Sequence, residues 1–146
     1  NIKEFSMNLL PEGTVIFPKR GGAIKTDKKR ALSKPSCIDT NIMGLVNSSR
    51  SILNDYIYTF MKSFTLFQIS DGSNVPQINN GSLKAVAFPI CSPEEQQEVC
   101  RIIGEKFVQI ENLKTSISLS FSHSNALKQS ILKQAFSGHE LLEDAS

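Results

Sequence analysis

Apolar and polar positions along the chain change character near Ser92. Before that point the apolar residues come in short runs separated by turn formers. Leu9-Leu10-Pro11-Glu12-Gly13 reads as a turn leading into a short strand over residues 14–17. Pro18 and Gly21-Gly22 interrupt the pattern, and a second strand is expected over residues 37–46, with Ile38, Ile42 and Leu45 among its apolar positions. Over residues 48–64 the period lengthens. Ile52, Leu53, Tyr56, Ile57, Phe60, Met61 and Phe64 share one helical face, with Ser49 or Ser51 available to cap it. This stripe reads as core. Asp71-Gly72-Ser73-Asn74, followed by Val75-Pro76-Gln77-Ile78, is a turn signal, and Asn79-Asn80-Gly81-Ser82 is another, ahead of the apolar stretch 83–90.

From Ser92 the pattern is helical. Ser92 caps, Pro93 takes the first helical position, and Glu95 closes a capping box. Glu94, Glu95 and Glu98 suit the positive end of the helix dipole. Ile103, Ile110, Ile117 and Ile131 form one row of about seven-residue spacing, and Val99, Leu113 and Leu127 a second. Phe107, Phe121 and Ala135 widen the stripe, and Gly138 is a natural stop. A helix over 93–137 would be roughly 65–70 Å long at 1.5 Å per residue. The preceding ninety residues cannot cover that length, so part of the stripe needs a partner. Ile103, Ile110, Leu113, Ile117, Leu127 and Ile131 are the expected contacts, toward another helix or a second copy of the chain. One stretch argues the other way: Ser116, Ser118, Ser120 and Ser122 alternate with Ile117, Leu119 and Phe121 as in a strand. The helix is kept, with Leu119 as a misfit and a weak point over 122–125. The fold class expected is α+β, a mixed β-rich lobe with short helices over 1–91 and one long C-terminal coiled-coil-type α-helix within 92–146.

Composition narrows the class. At 146 residues, 40% of them apolar and 21% charged, the chain has room for one globular domain with a modest core. No apolar run reaches the ~18–20 residues that span a bilayer, and residues 1–8 lack a secretion-signal pattern. Cys37, Cys91 and Cys100 are odd in number and without CxxC spacing, which suggests reduced thiols in a cytoplasmic protein. The chain opens without Met, as expected of a piece of something larger.

Net charge is only +2, but residues 1–50 carry +5 and residues 51–146 carry −3. Lys19, Arg20, Lys25, Lys28, Lys29, Arg30 and Lys34 are opposed by Asp27 alone, giving +6 in sixteen residues. Such a cluster suits a polyanion, since each neutralised phosphate releases condensed counterions; it is also what a solvated face looks like. Loops rich in Ser, Asn and Gln offer the donors and acceptors that base edges require, and equally serve as surface turns.

Catalytic patterns are absent. Gly21-Gly22 lacks P-loop spacing, there is no GxGxxG or GxSxG, and no glutamate has Lys two residues later. His123 and His139 stand sixteen residues apart with no nucleophile beside them. The reading is therefore a non-enzyme with no cofactor and no metal.

Four segments resemble the specificity subunit of type I restriction–modification systems. Leu9-Leu10-Pro11-Glu12-Gly13-Thr14-Val15-Ile16-Phe17 looks like the Leu-Pro-x-Gly-[Asp/Thr]-[Val/Ile]-Leu start of its target-recognition domains, and Lys19-Arg20-Gly21 like the basic-glycine element after it. Phe88-Pro89-Ile90-Cys91-Ser92-Pro93-Glu94-Glu95-Gln96 is similar to the family's Ile-Pro-Leu-Pro-Pro-x-x-Glu-Gln signature. Leu127-Lys128-Gln129-Ser130-Ile131-Leu132-Lys133-Gln134-Ala135-Phe136-Ser137-Gly138 resembles its Leu-Arg-Gln-Ser-Ile-Leu-x-x-Ala-Phe-x-Gly helix end. Cys91 and Ser92 depart from that signature, and the Trp-containing opening segment is missing.

The resemblance implies one of two recognition lobes that bind a split double-stranded DNA site, and one of two antiparallel spacer helices. Those helices would dock modification (methyltransferase) subunits and, through them, the restriction subunit, with no membrane involved. On this reading Lys19, Arg20, Lys25, Lys28, Lys29 and Arg30 meet phosphates, while Arg20, Ser73, Asn74 and Gln77 read bases. A helix-mediated homodimer is a further expected partner. Two alternatives remain: a self-associating helical interaction module with a solvated basic loop, or the recognition part of a methyltransferase–specificity fusion.

Overall fold

The computed structural model describes residues 9–137. By their contacts, the described residues up to Ile103 form one compact unit and those from Gly104 onward a second. The architecture is mixed α+β, with small antiparallel sheets and a long C-terminal helix.

In the first unit, β1 (Leu9–Leu10) pairs with β4 (Ser36–Cys37), and β2 (Val15–Pro18) lies between β3 (Arg30–Ala31) and β5 (Ile42–Leu45). All of these pairings are antiparallel. β2 matches the expected first strand within one residue. Val15 and Phe17 are buried while Ile16 is partly exposed, the alternation of a half-buried strand. Gly13, in the turn before β2, has φ +78°, and a Cβ there would run into the Asn54 side chain, so glycine is required.

The strand expected over 37–46 is instead two strands. Asp39 breaks it: its Oδ1 accepts from the Asn41 backbone N–H (2.7 Å) and its carbonyl from Ile42 N–H (3.0 Å). This Asx turn sends β4 to one sheet and β5 to the other.

The short helix is also shorter than 48–64; α1 spans Asn54–Met61. Ser49 and Ser51 do not cap it. Asn47 braces the preceding loop, its side-chain amide donating to Ile52 C=O (2.6 Å) and Asn54 Oδ1 (3.0 Å). The expected apolar face holds, however: Tyr56, Ile57 and Met61 are buried, and Ile57 and Met61 join Val15, Phe17, Ile24, Leu66 and Ile78 in one core. Phe88 closes the outer side edge-on to Tyr56 and Phe60, with centroids 5.6 and 4.8 Å away. The Tyr56 hydroxyl donates to Pro89 C=O (3.2 Å) and lies 3.6 Å from the Cys91 thiol; that contact, then burial, pushes its pKa up.

The second turn signal is a helix start. Asn79 Oδ1 accepts from Ser82 N–H (2.9 Å) and caps α2 (Asn80–Lys84).

α3 spans Pro93–Ser137. Its capping box is formed as expected: Ser92 N–H donates to Glu95 Oε2 (2.9 Å) and Glu95 N–H to Ser92 Oγ (3.3 Å). The turn that follows carries Gln96, fully buried in the first unit. Its Nε2 donates to Ser51 C=O and Cys91 C=O, each at 2.9 Å, and its Oε1 accepts from Leu53 N–H at 2.8 Å. Gln96 thus satisfies the backbone N–H of Leu53, the N-cap residue of α1, which has no acceptor within the helix.

In the second unit the helix runs unbroken through Ser116–Asn125, so neither the strand alternation nor the weak point materialises. Every side chain from Gly104 to Ser137 is exposed. Gly138, expected as the stop, and His139 lie outside the described residues. No helix among the described residues is long and apolar enough to cross a membrane.

Candidate nucleic-acid interface

The basic cluster leaves β2 at Lys19 and Arg20 and continues on a 3-10 turn, Gly21–Thr26, pinned by the fully buried Ile24. Asp27 then turns the chain with φ +52°, and β3 returns Arg30 beside β2. Three backbone hydrogen bonds hold the end of β2: Lys19 N–H to Asn41 C=O (2.9 Å), Gly21 N–H to Pro76 C=O (2.8 Å) and Ile78 N–H to Lys19 C=O (2.9 Å). The last two fasten the 71–78 loop to the basic segment, with Arg20 and Gln77 directly opposed.

The loop is shaped by Asp71. Its Oδ1 accepts from Gln77 N–H (3.0 Å), Ser73 N–H (3.1 Å) and Ser73 Oγ (2.9 Å). These donors, the Gln77 amide foremost, hold the Asp71 pKa below the ordinary carboxylate range.

Two adjoining concavities result. One, of about 430 Å³, is lined by Lys19, Arg20, Thr40, Asn41, Gln77 and Asn80 among others. The second, of similar volume, includes Arg20, Thr26, Lys28, Arg30 and Asn41. They share Arg20 and Asn41, so a basic and polar surface passes from one to the other. An apolar cavity of about 280 Å³, lined by residues such as Ile57, Phe60, Met61 and Phe88, carries no charged group.

The expected site residues fare differently. Lys19, Arg20, Lys28, Arg30 and Gln77 all line this surface. Lys25 is exposed on the 3-10 turn, its ammonium 6.0 Å from the Phe67 ring centre. Lys29 points inward: it is 8% exposed, and its Nζ donates to Asp27 Oδ1 (2.9 Å) and to Phe64 C=O. Asp27 Oδ1 also accepts from Leu66 N–H (2.7 Å), so Lys29 and Asp27 tie the basic turn to the segment after α1. Ser73 Oγ is committed within its own turn, to Asp71 and to Val75 C=O (2.8 Å). Asn74 is exposed in the loop. Of the expected helix contacts, Ile103 is half-buried, whereas Ile110, Leu113, Ile117, Leu127 and Ile131 are 44–67% exposed.

Thr40, Asn41 and Asn80 escaped the sequence reading. Their only local signals are those of turns and caps, and it is β5 and α2 that carry them to Arg20. Gln96 escaped as well, although the Glu-Gln pair of the signature segment contains it. Among the described residues no group of three or more His, Cys, Asp or Glu side chains is assembled that could hold a metal ion.

No family model matches the chain. A type I restriction enzyme specificity subunit, MjaIX, of Methanocaldococcus jannaschii is 28% identical over 119 residues, which is 77% of this chain and 26% of that protein. The crystal structure of a type I restriction–modification system S subunit from M. genitalium superposes with a TM-score of 0.55 at 20% identity, over 94% of this chain and 37% of that one. The chain therefore spans about a quarter of the curated relative and just over a third of the solved one. Across most of its length the chain is similar to type I restriction–modification specificity subunits, in sequence to the first and in fold to the second, as its four motif segments imply.

Proposed function

We propose that this chain recognises double-stranded DNA as part of a type I specificity subunit and is not itself an enzyme. The observation that carries the reading is the surface shared through Arg20 and Asn41, where basic residues and carboxamides converge from four separate segments. Lys19, Lys25, Lys28 and Arg30 meet phosphates, and the loop residues meet base edges. Lys29 belongs to the frame of the lobe and not to this contact surface.

The recognition lobe lies within residues 1–91, and α3, within 92–146, acts as a spacer helix. Ile110, Leu113, Ile117, Leu127 and Ile131 form the exposed stripe expected of a helix that docks modification subunits, and through them the restriction subunit. The same stripe supports a homodimer of the chain itself.

The test is duplex binding across a salt series. Replacing Lys19, Lys28 and Arg30 together by Ala should weaken binding to every sequence alike. It should flatten the slope of log K against log salt by about 0.9 for each phosphate that is no longer neutralised. An unchanged slope refutes the assignment.

A further inference from the structure

Arg20 and Gln77 form a bridge of two opposed residues between the end of β2 and the 71–78 loop. The hydrogen bonds Gly21 N–H to Pro76 C=O and Ile78 N–H to Lys19 C=O flank them on either side. The two residues exchange none with each other, which makes them a non-hydrogen-bonded antiparallel pair. In such a pair the Cα atoms stand about 4.5 Å apart and both side chains leave on one side of the ribbon. Both residues are exposed and line one concavity. Asn80, the first residue of α2, opens onto the same concavity. The frame is fixed from behind, since Asp71 holds the Gln77 backbone N–H at 3.0 Å.

The chemistry of these groups is selective. A guanidinium presents two parallel donors, which match O6 and N7 of guanine. A carboxamide presents one donor and one acceptor, which match N7 and the N6 amine of adenine. Uncharged carboxamides gain little from phosphates compared with the lysines at the rim. Two long side chains rooted about 5 Å apart are spaced to meet neighbouring base pairs, which stack about 3.4 Å apart.

Resting on the DNA-recognition reading above, we propose that Arg20 and Gln77 act as one unit that reads two adjacent base pairs, guanine by Arg20 and adenine by Gln77. Asn80 extends the contact to a further base edge.

Selection from a randomised duplex library tests this, using the chain and its Gln77→Ala, Gln77→Glu, Arg20→Lys and Asn80→Ala variants. The chain should enrich a motif containing adjacent G and A. Gln77→Ala should lose discrimination at the A position by roughly tenfold, with the salt slope essentially kept because no charge is removed. Gln77→Glu should move that position toward cytosine, whose N4 amine a carboxylate accepts. Arg20→Lys should relax the guanine position, since an ammonium lacks the paired donors. Equal melting temperatures would exclude misfolding, and Gln77→Glu remains informative in any case because it predicts a change of base and not merely a loss. An enriched motif without the G–A step, or one identical in all variants, overturns the reading pair while leaving DNA binding intact. Failure of the chain to retain any duplex at low salt overturns the recognition reading itself, and the pair with it.

Discussion

Replacing Gln96 by Ala removes a side chain that is 0% exposed and makes three hydrogen bonds to backbone groups 5–45 residues away. The Leu53 N–H and the carbonyls of Ser51 and Cys91 would be left without their partner, and an orphaned buried polar group costs about 1–3 kcal/mol. A carbonyl that water can reach costs less, so the three together come to about 3–5 kcal/mol. That is a large share of the roughly 5–15 kcal/mol by which a typical domain is stable. Gln96→Leu keeps most of the volume and deletes the polar atoms, so its loss isolates the hydrogen-bond part, while the further loss in Gln96→Ala measures the cavity. Urea unfolding followed by tyrosine fluorescence is suitable, because Tyr56 and Tyr58 lie on α1 and the chain has no Trp. The exposed neighbour provides the control: Gln97→Ala should stay within about 0.5 kcal/mol. A loss below about 1 kcal/mol for Gln96→Ala would refute the idea that this residue holds the start of α1.

Lys29→Ala should destabilise the lobe by about 2–3 kcal/mol in the same assay, since it strips a buried ammonium from Asp27 and Phe64, whereas Lys28→Ala should leave stability within about 0.5 kcal/mol. Asp71 titrates below the ordinary carboxylate value, so its hold on the loop is present at neutral pH and is lost as pH falls through that lowered value. The Ser73 and Gln77 amide resonances should therefore shift with a midpoint below about 3.9, and Asp71→Asn should abolish the shift. Ile117→Asp, on the exposed stripe, should lower the concentration-dependent mass in sedimentation if the stripe joins copies of the chain. A mass that stays monomeric at high concentration in the unaltered chain would exclude that homodimer.

What depends on neighbours a few positions apart is legible in the chain. The Ser92–Glu95 capping box, the long apolar stripe of α3, the turn into β2 and the buried face of α1 are each set within a turn or two of chain, so local periodicity and capping chemistry disclose them. The limits of α1 and the break between β4 and β5 are local too, yet they differ from what periodicity predicts. Side chains of Asp39 and Asn47 compete locally with regular backbone pairing, and periodicity does not register that competition. Which polar residues face outward together is set by long-range folding. Lys29 finds its carbonyl 35 residues away and Gln96 its N–H 43 residues away, so both are consumed by the frame despite looking like surface residues. Arg20 and Gln77 become partners only because a distant loop is hydrogen-bonded to the end of β2. A charge or an amide looks the same in sequence whether it supports the fold or faces solvent, and long-range backbone pairing makes that choice.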